Sequence, residues 1–206
     1  MLSIYTLIPR EAFGSNMYLV ECSGEFAVID PSVDFHTVAQ KHPAVKSSTR
    51  YIIITHAHFD HMLEIDTWRE ATGAEVLVSA ADGEALSDPY KNAYRLFYNT
   101  EKGYYGPYTA ASGNDTFSLG DESFGILETP GHTAGGISVL FRDCVFVGDT
   151  VFANGGYGRC DLPGGDFTAL AASIRRLCEL DRRLTVYPGH GRPTDIGEIY
   201  SFFSNM

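Results

Sequence analysis

The 206-residue chain predicts an α/β protein of four layers, an αββα sandwich with two sheets face to face and helices outside. Three observations lead there. Each half of the chain opens with short β-rich segments and then turns to an α/β unit. The run YIIIT at 51–55 is apolar enough to be a strand buried on both faces. Clusters of His and Asp stand just past apolar strands, where α/β sheets gather their functional groups.

Taken in order, SIYTLI (3–8), NMYLVEC (16–22) and EFAVID (25–30) read as strands broken at Gly14 and at the turn Ser23-Gly24. YIIIT (51–55) follows a polar segment. From Asp60 to about Thr72 the residues Met62, Ile65, Trp68 and Ala71 recur at helical spacing, and Gly73 supplies a stop. EVLVS (75–79) completes a strand–helix–strand unit. Residues 80–112 read as helical and then irregular. Asp88-Pro89 marks a helix start, with Tyr90, Tyr94 and Phe97 on one face packed against the sheet. Tyr104, Tyr105 and Tyr108 beside Gly103 and Gly106 leave room for a covering flap or a dimer contact.

The second half restarts with TFSLG (116–120), ESFGILET (122–129), GISVLF (136–141) and CVFVGD (144–149), with Arg142-Asp143 as a hairpin turn. A helix from about Asp166 to Leu180 aligns Phe167, Leu170, Ala171, Ile174, Leu177 and Cys178. LTVYP (184–188) closes the second sheet. The length suits a single domain over 1–206.

Composition narrows the function. A 44% hydrophobic, 20% charged chain is an ordinary globular protein. Its formal charge of −11, without any basic run, argues against nucleic acid and anionic membrane as partners. No stretch approaches the roughly 18 apolar residues of a membrane span. MLSIYTLIPREAF has no basic segment ahead of an apolar one, and Glu11 interrupts it, so it does not read as a signal peptide. Cys22, Cys144, Cys160 and Cys178 form no CxxC pair and read as reduced thiols, three of them mostly buried and one in a loop. These features together suggest a cytoplasmic protein.

Five of the seven histidines fall in three places: His56, His58 and His61 in THAHFDH, His132 in TPGHTAGG, and His190 in YPGHGRP. Asp149 in VFVGDT adds a carboxylate. Glycines 131, 148, 189 and 191 let the backbone pack closely beside these donors. His56 and His58, two apart in extended chain, project to one side and can share an ion. Asp60 and His61 stand where the chain turns and can reach a second ion. Asp149 has two oxygens and can bridge metals about 3.5–4 Å apart. Such donors suit zinc, and also iron or manganese. His36 and His42, alone in a polar stretch, read as ordinary surface residues.

These motifs resemble those of metallo-β-lactamase-fold hydrolases. The HxHxDH signature is His56-Ala57-His58-Phe59-Asp60-His61, and Pro130-Gly131-His132-Thr133, Gly148-Asp149-Thr150 and Pro188-Gly189-His190-Gly191 match the later motifs. The family's αββα sandwich agrees with the layers argued above. Within the superfamily the chain is most similar to short, single-domain glyoxalase II-like members. Gly158-Arg159-Cys160-Asp161-Leu162-Pro163-Gly164-Gly165-Asp166 matches their G-R-T-D-hydrophobic-P-G-G-D segment, with Cys160 for threonine. By that resemblance His56, His58, His132 and Asp149 bind one metal, and Asp60, His61, Asp149 and His190 the other. Full-length hydroxyacylglutathione hydrolases carry a helical C-terminal domain that helps bind glutathione, whereas 16 residues follow His190 here, which weighs against an expectation of glutathione thioester specificity.

The expected reaction is metal-assisted hydrolysis of a small thioester or ester. A hydroxide formed between two ions attacks the carbonyl while Asp60 orients it. Arg159 is the nearby cation: an ion pair with Asp161 is its first reading, and a contact with substrate its second. Thr133 is expected to shape its loop. Two rivals use the same scaffold: a one-iron persulfide dioxygenase and a lactonase. The acidic charge counts against a nuclease, and the complete donor set against a non-catalytic module.

Overall fold

Alternation along the strands decides the layering. In the computed structural model, which describes residues 2–9 and 13–204, the first sheet runs β1 (Leu2–Leu7), β2 (Met17–Cys22), β3 (Glu25–Ile29), β4 (Thr49–Ile53), β5 (Glu75–Ser79) and β6 (Thr109–Ala111). Glu11, whose charge counted against a leader, lies outside those residues. On β2, Met17 and Leu19 point to one apolar cluster while Tyr18, Val20 and Cys22 point to another. Ile52 and Ile53 divide the same way. Period-two alternation of apolar residues on both faces forces cover on both faces.

The outer face is covered by α1 (Phe35–Ala39), α2 (Val45–Ser48) and α3 (Ile65–Thr72), with Trp68 fully buried against Phe35. The inner face meets the second sheet: β7 (Thr116–Leu119), β8 (Glu122–Glu128), β9 (Ile137–Leu140), β10 (Cys144–Gly148), β11 (Thr185–Pro188) and β12 (Thr194–Asp195). Two short helices, α4 (Ala80–Gly83) and α5 (Tyr94–Tyr98), lie between β5 and β6. On the far side of the second sheet, α6 (Phe167–Cys178) and α7 (Ile196–Phe203) pack Leu170, Ile174, Leu177 and Ile199 onto Val145, Val147 and Val186. The four-layer α/β/β/α order is as the sequence predicts.

Several elements differ from expectation. The helix foreseen from Asp60 begins at Ile65; Phe59–His61 form a 3₁₀ turn instead, which separates Asp60 and His61 from the regular helix. Gly73 does end that helix, in a left-handed conformation. Tyr90 and Phe97 do not pack against the sheet: Tyr94 is buried, but Tyr90 is 53% and Phe97 43% exposed. Asp88 caps a turn rather than a helix, accepting from the Tyr90 and Lys91 amides, so the three aromatics never share one helical face. Phe167 likewise stays half exposed at the start of α6. β12, not LTVYP, closes the second sheet, and α7 follows it. All four cysteines are free; Cys22 and Cys144 are buried, while Cys160 and Cys178 are half-buried.

Strand direction places the chemistry. β3 to β6 run parallel to one another, and β10 runs parallel to β11. β8 pairs antiparallel with β9, which pairs antiparallel with β10, so β8 points the same way as β10 and β11. Segments following β4, β8, β10 and β11 therefore gather at strand C-termini, where ligands of open α/β sheets bind. The Ile137 amide donates to the Thr55 carbonyl (2.8 Å), joining the two sheets at this rim.

Candidate metal centre

Each of the four segments delivers part of one cluster. His56, His58, Asp60 and His61 follow β4, His132 follows β8, Asp149 follows β10 and His190 follows β11. Nitrogen and oxygen atoms of His56, His58 and His132 lie within 4.8 Å of one another, as do those of Asp60, His61 and His190, and of His56, His61 and Asp149. Asp149 stands between the triads: Oδ1 is 3.4 Å from His61 Nε2, and Oδ2 is 3.6 Å from both His132 Nε2 and His190 Nε2. His190 Nε2 is 3.1 Å from Asp60 Oδ2. All seven predicted donors thus converge. His36 and His42 stay apart, His42 against the Tyr5 ring.

Inside the cluster, His56 Nε2, His58 Nε2, His61 Nε2 and Asp149 Oδ1 are buried without a hydrogen-bond partner. Orphaned buried polar atoms are costly, and three of these, His56 Nε2, His61 Nε2 and Asp149 Oδ1, belong to one triad and need a common partner, while His58 turns Nδ1 toward His132 Nε2 (2.9 Å). Divalent ions fit: imidazole nitrogens and carboxylate oxygens are their ordinary donors.

Three residues absent from the sequence reading hold the donors in place. Asp30 follows β3 and is buried; it accepts from the Thr55 amide (2.8 Å), Thr55 Oγ1 (2.7 Å) and His61 Nδ1 (2.8 Å). With its own proton committed to Asp30, Thr55 Oγ1 accepts from His56 Nδ1 (3.2 Å). One carboxylate therefore sets both His56 and His61 to present Nε2 inward, the usual outer partnership of metal-ligating histidines. His132 is set the same way, donating Nδ1–H to the Arg159 carbonyl (2.7 Å). Asp82, at the C-terminal side of β5, accepts from the Ala57 amide (2.9 Å), Thr133 Oγ1 (2.8 Å) and the Gly135 amide (2.7 Å). Thr133 shapes its loop, as expected. Asn16 donates to the Pro188 (3.1 Å) and Gly191 (2.9 Å) carbonyls and fixes the His190 loop, with Tyr18 OH also donating to Pro188. Asp30 carried the same signal as the donors, an acid ending an apolar strand; Asp82 and Asn16 carried none.

Gly189 illustrates the packing limit. A Cβ there would collide with Asp149 Oδ1 and come within 2.6 Å of the His61 ring. Gly191 meets nothing within 4 Å, and its φ of +81° is the reason for glycine there.

Electrostatics follow from burial and proximity. Burial, reinforced by the neighbouring His61 and His132, holds His56 well below the ordinary imidazole value. Burial and His132 bring His58 down to about 3. For His61 burial acts the same way but is overridden by Asp30, Asp60 and Asp149, which raise it well above 6.5. Burial is also overridden at His190, raised chiefly by Asp60, and at Asp60 and Asp149, both lowered, with His61 the largest opposing cause.

Five of the donors (His58, Asp60, His132, Asp149 and His190) line a cavity of about 300 Å³ together with Phe13, Phe59, Phe97 and Arg159. Arg159 forms a two-pronged pair with Asp161 (2.6 Å each), the first of its two expected roles. A larger opening of about 730 Å³ contains none of the donors, and its Arg142 and Arg183 pair with Glu122, Asp143 and Asp181.

A model of the metallo-beta-lactamase superfamily matches residues 10–190. The chain belongs to that superfamily. A probable metallo-hydrolase of Streptococcus pyogenes is 31% identical over 95% of this chain and 87% of its own. The hydroxyacylglutathione hydrolase GloC of Haemophilus influenzae is 28% identical over 93% and 92%. Among solved structures, the B3 metallo-beta-lactamase BLEG-1 superposes with a TM-score of 0.88 over all of both chains at 28% identity. TTHA1623 in a di-iron-bound form gives 0.80 over 97% and 96% at 29% identity. Fold and metal-suited donors are thus those of a superfamily metallo-hydrolase. Among the described residues, no helix is long and apolar enough to cross a membrane.

Proposed function

We propose that this chain is a dinuclear metal hydrolase of the glyoxalase II-like branch that cleaves a small thioester or ester. The observation that carries the reading is the group of orphaned buried donor atoms at Asp149: its own Oδ1 with His56 Nε2 and His61 Nε2. In this reading His56, His58, His132 and Asp149 hold one ion, and Asp60, His61, His190 and Asp149 hold the other. Zinc suits the donor set, and the di-iron form of TTHA1623 is reason to test iron beside it. When bound, the ions supply Lewis acidity and a hydroxide near neutral pH.

The chain's own residues do the rest. Asp60 faces the cavity, is held ionised by His61 and His190, and accepts a hydrogen bond from the attacking water to orient it. Asp30 and the Arg159 carbonyl keep three imidazoles in one tautomer. No Ser, Thr or Cys is among the described residues lining the cavity, in keeping with attack by water. GloC, a hydroxyacylglutathione hydrolase at 28% identity, supports thioesters as the substrate class to try first.

The test is a substrate panel on metal-analysed protein: lactoylglutathione, other thioesters, lactones and glutathione persulfide. Two ions per chain with thioester or ester cleavage, abolished in His58→Ala with the circular dichroism spectrum kept, is the expected result. Full activity in His58→Ala supplied with zinc overturns it. So does one iron per chain with oxygen uptake on the persulfide.

A further inference from the structure

We infer that the cavity beside the metal donors is an acyl pocket for an uncharged, apolar chain. The inference rests on the hydrolase reading above and adds the class of acid it releases. Apart from the donors and Arg159, the described residues lining the cavity are Phe13, Phe59, Ala93, Phe97 and Leu162, all apolar. The three phenyl rings form a continuous wall: the Phe59 ring lies 5.4 Å from Phe97, and Phe13 lies 6.4 Å from Phe97. Tyr98 backs it, 5.3 Å from Phe59 and 6.2 Å from Phe13.

Phe59 and Ala93 belong to the buried core, but the outer rings of the wall do not. Phe13 is 55% and Phe97 43% exposed, although each stands beside better-buried aromatics. Large apolar side chains left open next to a concave, catalytically equipped site favour an apolar ligand group. Charge argues the same way. Arg159 is the one Lys or Arg among the described lining residues, and Asp161 takes both prongs of its guanidinium. Among the described lining residues a carboxylate at the far end of an acyl chain would find no unpaired Lys or Arg, and it would lose its hydration against phenyl rings. Size sets the chain length. About 300 Å³ is room for roughly ten water-sized groups, and the reacting centre takes part of it, leaving space for about four to six methylenes.

The experiment uses the metal-loaded full chain with S-acyl N-acetylcysteamine thioesters from acetyl to octanoyl, and succinyl as the charged counterpart of butanoyl. Isothermal titration with the matching straight-chain carboxylates gives a second measurement that needs no turnover. The expected result is a rise of about fourfold per added methylene in kcat/KM and in carboxylate affinity, levelling near hexanoyl. Butanoyl should exceed succinyl at least tenfold, and Phe97→Ser should flatten both slopes. Hydrolysis of the acetyl ester with a flat or falling chain-length profile overturns the pocket and leaves the hydrolase reading standing. A preference for succinyl over butanoyl likewise overturns it. Chain-length-dependent carboxylate binding without cleavage of any ester supports the pocket and overturns the hydrolase reading.

Discussion

Asp30 governs more of the centre than any single donor, because two imidazoles take their tautomer from it, one directly and one through Thr55. Asp30→Asn keeps the size but turns donors toward donors. Ion affinity should fall about 10- to 100-fold, measured by competition with a chromogenic chelator. Unchanged affinity would mean that packing alone orients His56 and His61. At the same scale, pH acts through His61. Its folded pKa lies above 6.5 in the metal-free protein. The bound proton therefore stabilises the metal-free fold fully below that value, and the contribution is lost as pH rises through the folded pKa. An ion must displace this proton, so affinity should increase with pH above 6.5, whereas His56 and His58 are already neutral. Titrations at several pH values check the slope; a flat dependence counts against His61 as a ligand.

Among the elements, Asp82 is the fastener. It joins the loop after β4 to the loop after β8 by three hydrogen bonds to a buried carboxylate. Asp82→Ala should cost on the order of 3 kcal/mol, read as a lower urea midpoint. Most elements were legible because strands announce themselves by apolar alternation and helices by a run of matching period. The misreadings have physical reasons. Met62 to Ala71 kept a helical period, yet the backbone at 59–61 is tightened into a 3₁₀ turn that presents His61 and Asp60 to the centre. Tyr90 and Phe97 looked like a core stripe, but a composition rule cannot tell an aromatic that packs inward from one that borders a cavity. The donors themselves were readable from motif spacing. Their supports were less so, since Asp82 and Asn16 act through backbone groups distant in sequence, and nothing local marks such a partner.

For the molecule as a whole, three apolar clusters hold the layers together without drawing on the centre. Stripping the ions should therefore lower the melting temperature while leaving a cooperative transition. At an ion concentration of 1,000 Kd the loss is about 4 kcal/mol. A broad, non-cooperative melt after chelation would contradict this independence. The acidic surface carries a second expectation: at formal charge −11, no cleavage of single-stranded DNA or RNA even at low salt, a test that would otherwise revive a nuclease.

The donors come from both sheets, four from the first and three from the second. Ion capture is consequently a gauge of how tightly the two halves are clasped. Phe124 belongs to the cluster between the sheets, stacked on Phe117, and lies on β8, the strand that leads to His132. Trimming it to leucine touches no ligand, yet should weaken ion uptake through the looser clasp, linking the deepest hydrocarbon of the protein to chemistry at its rim.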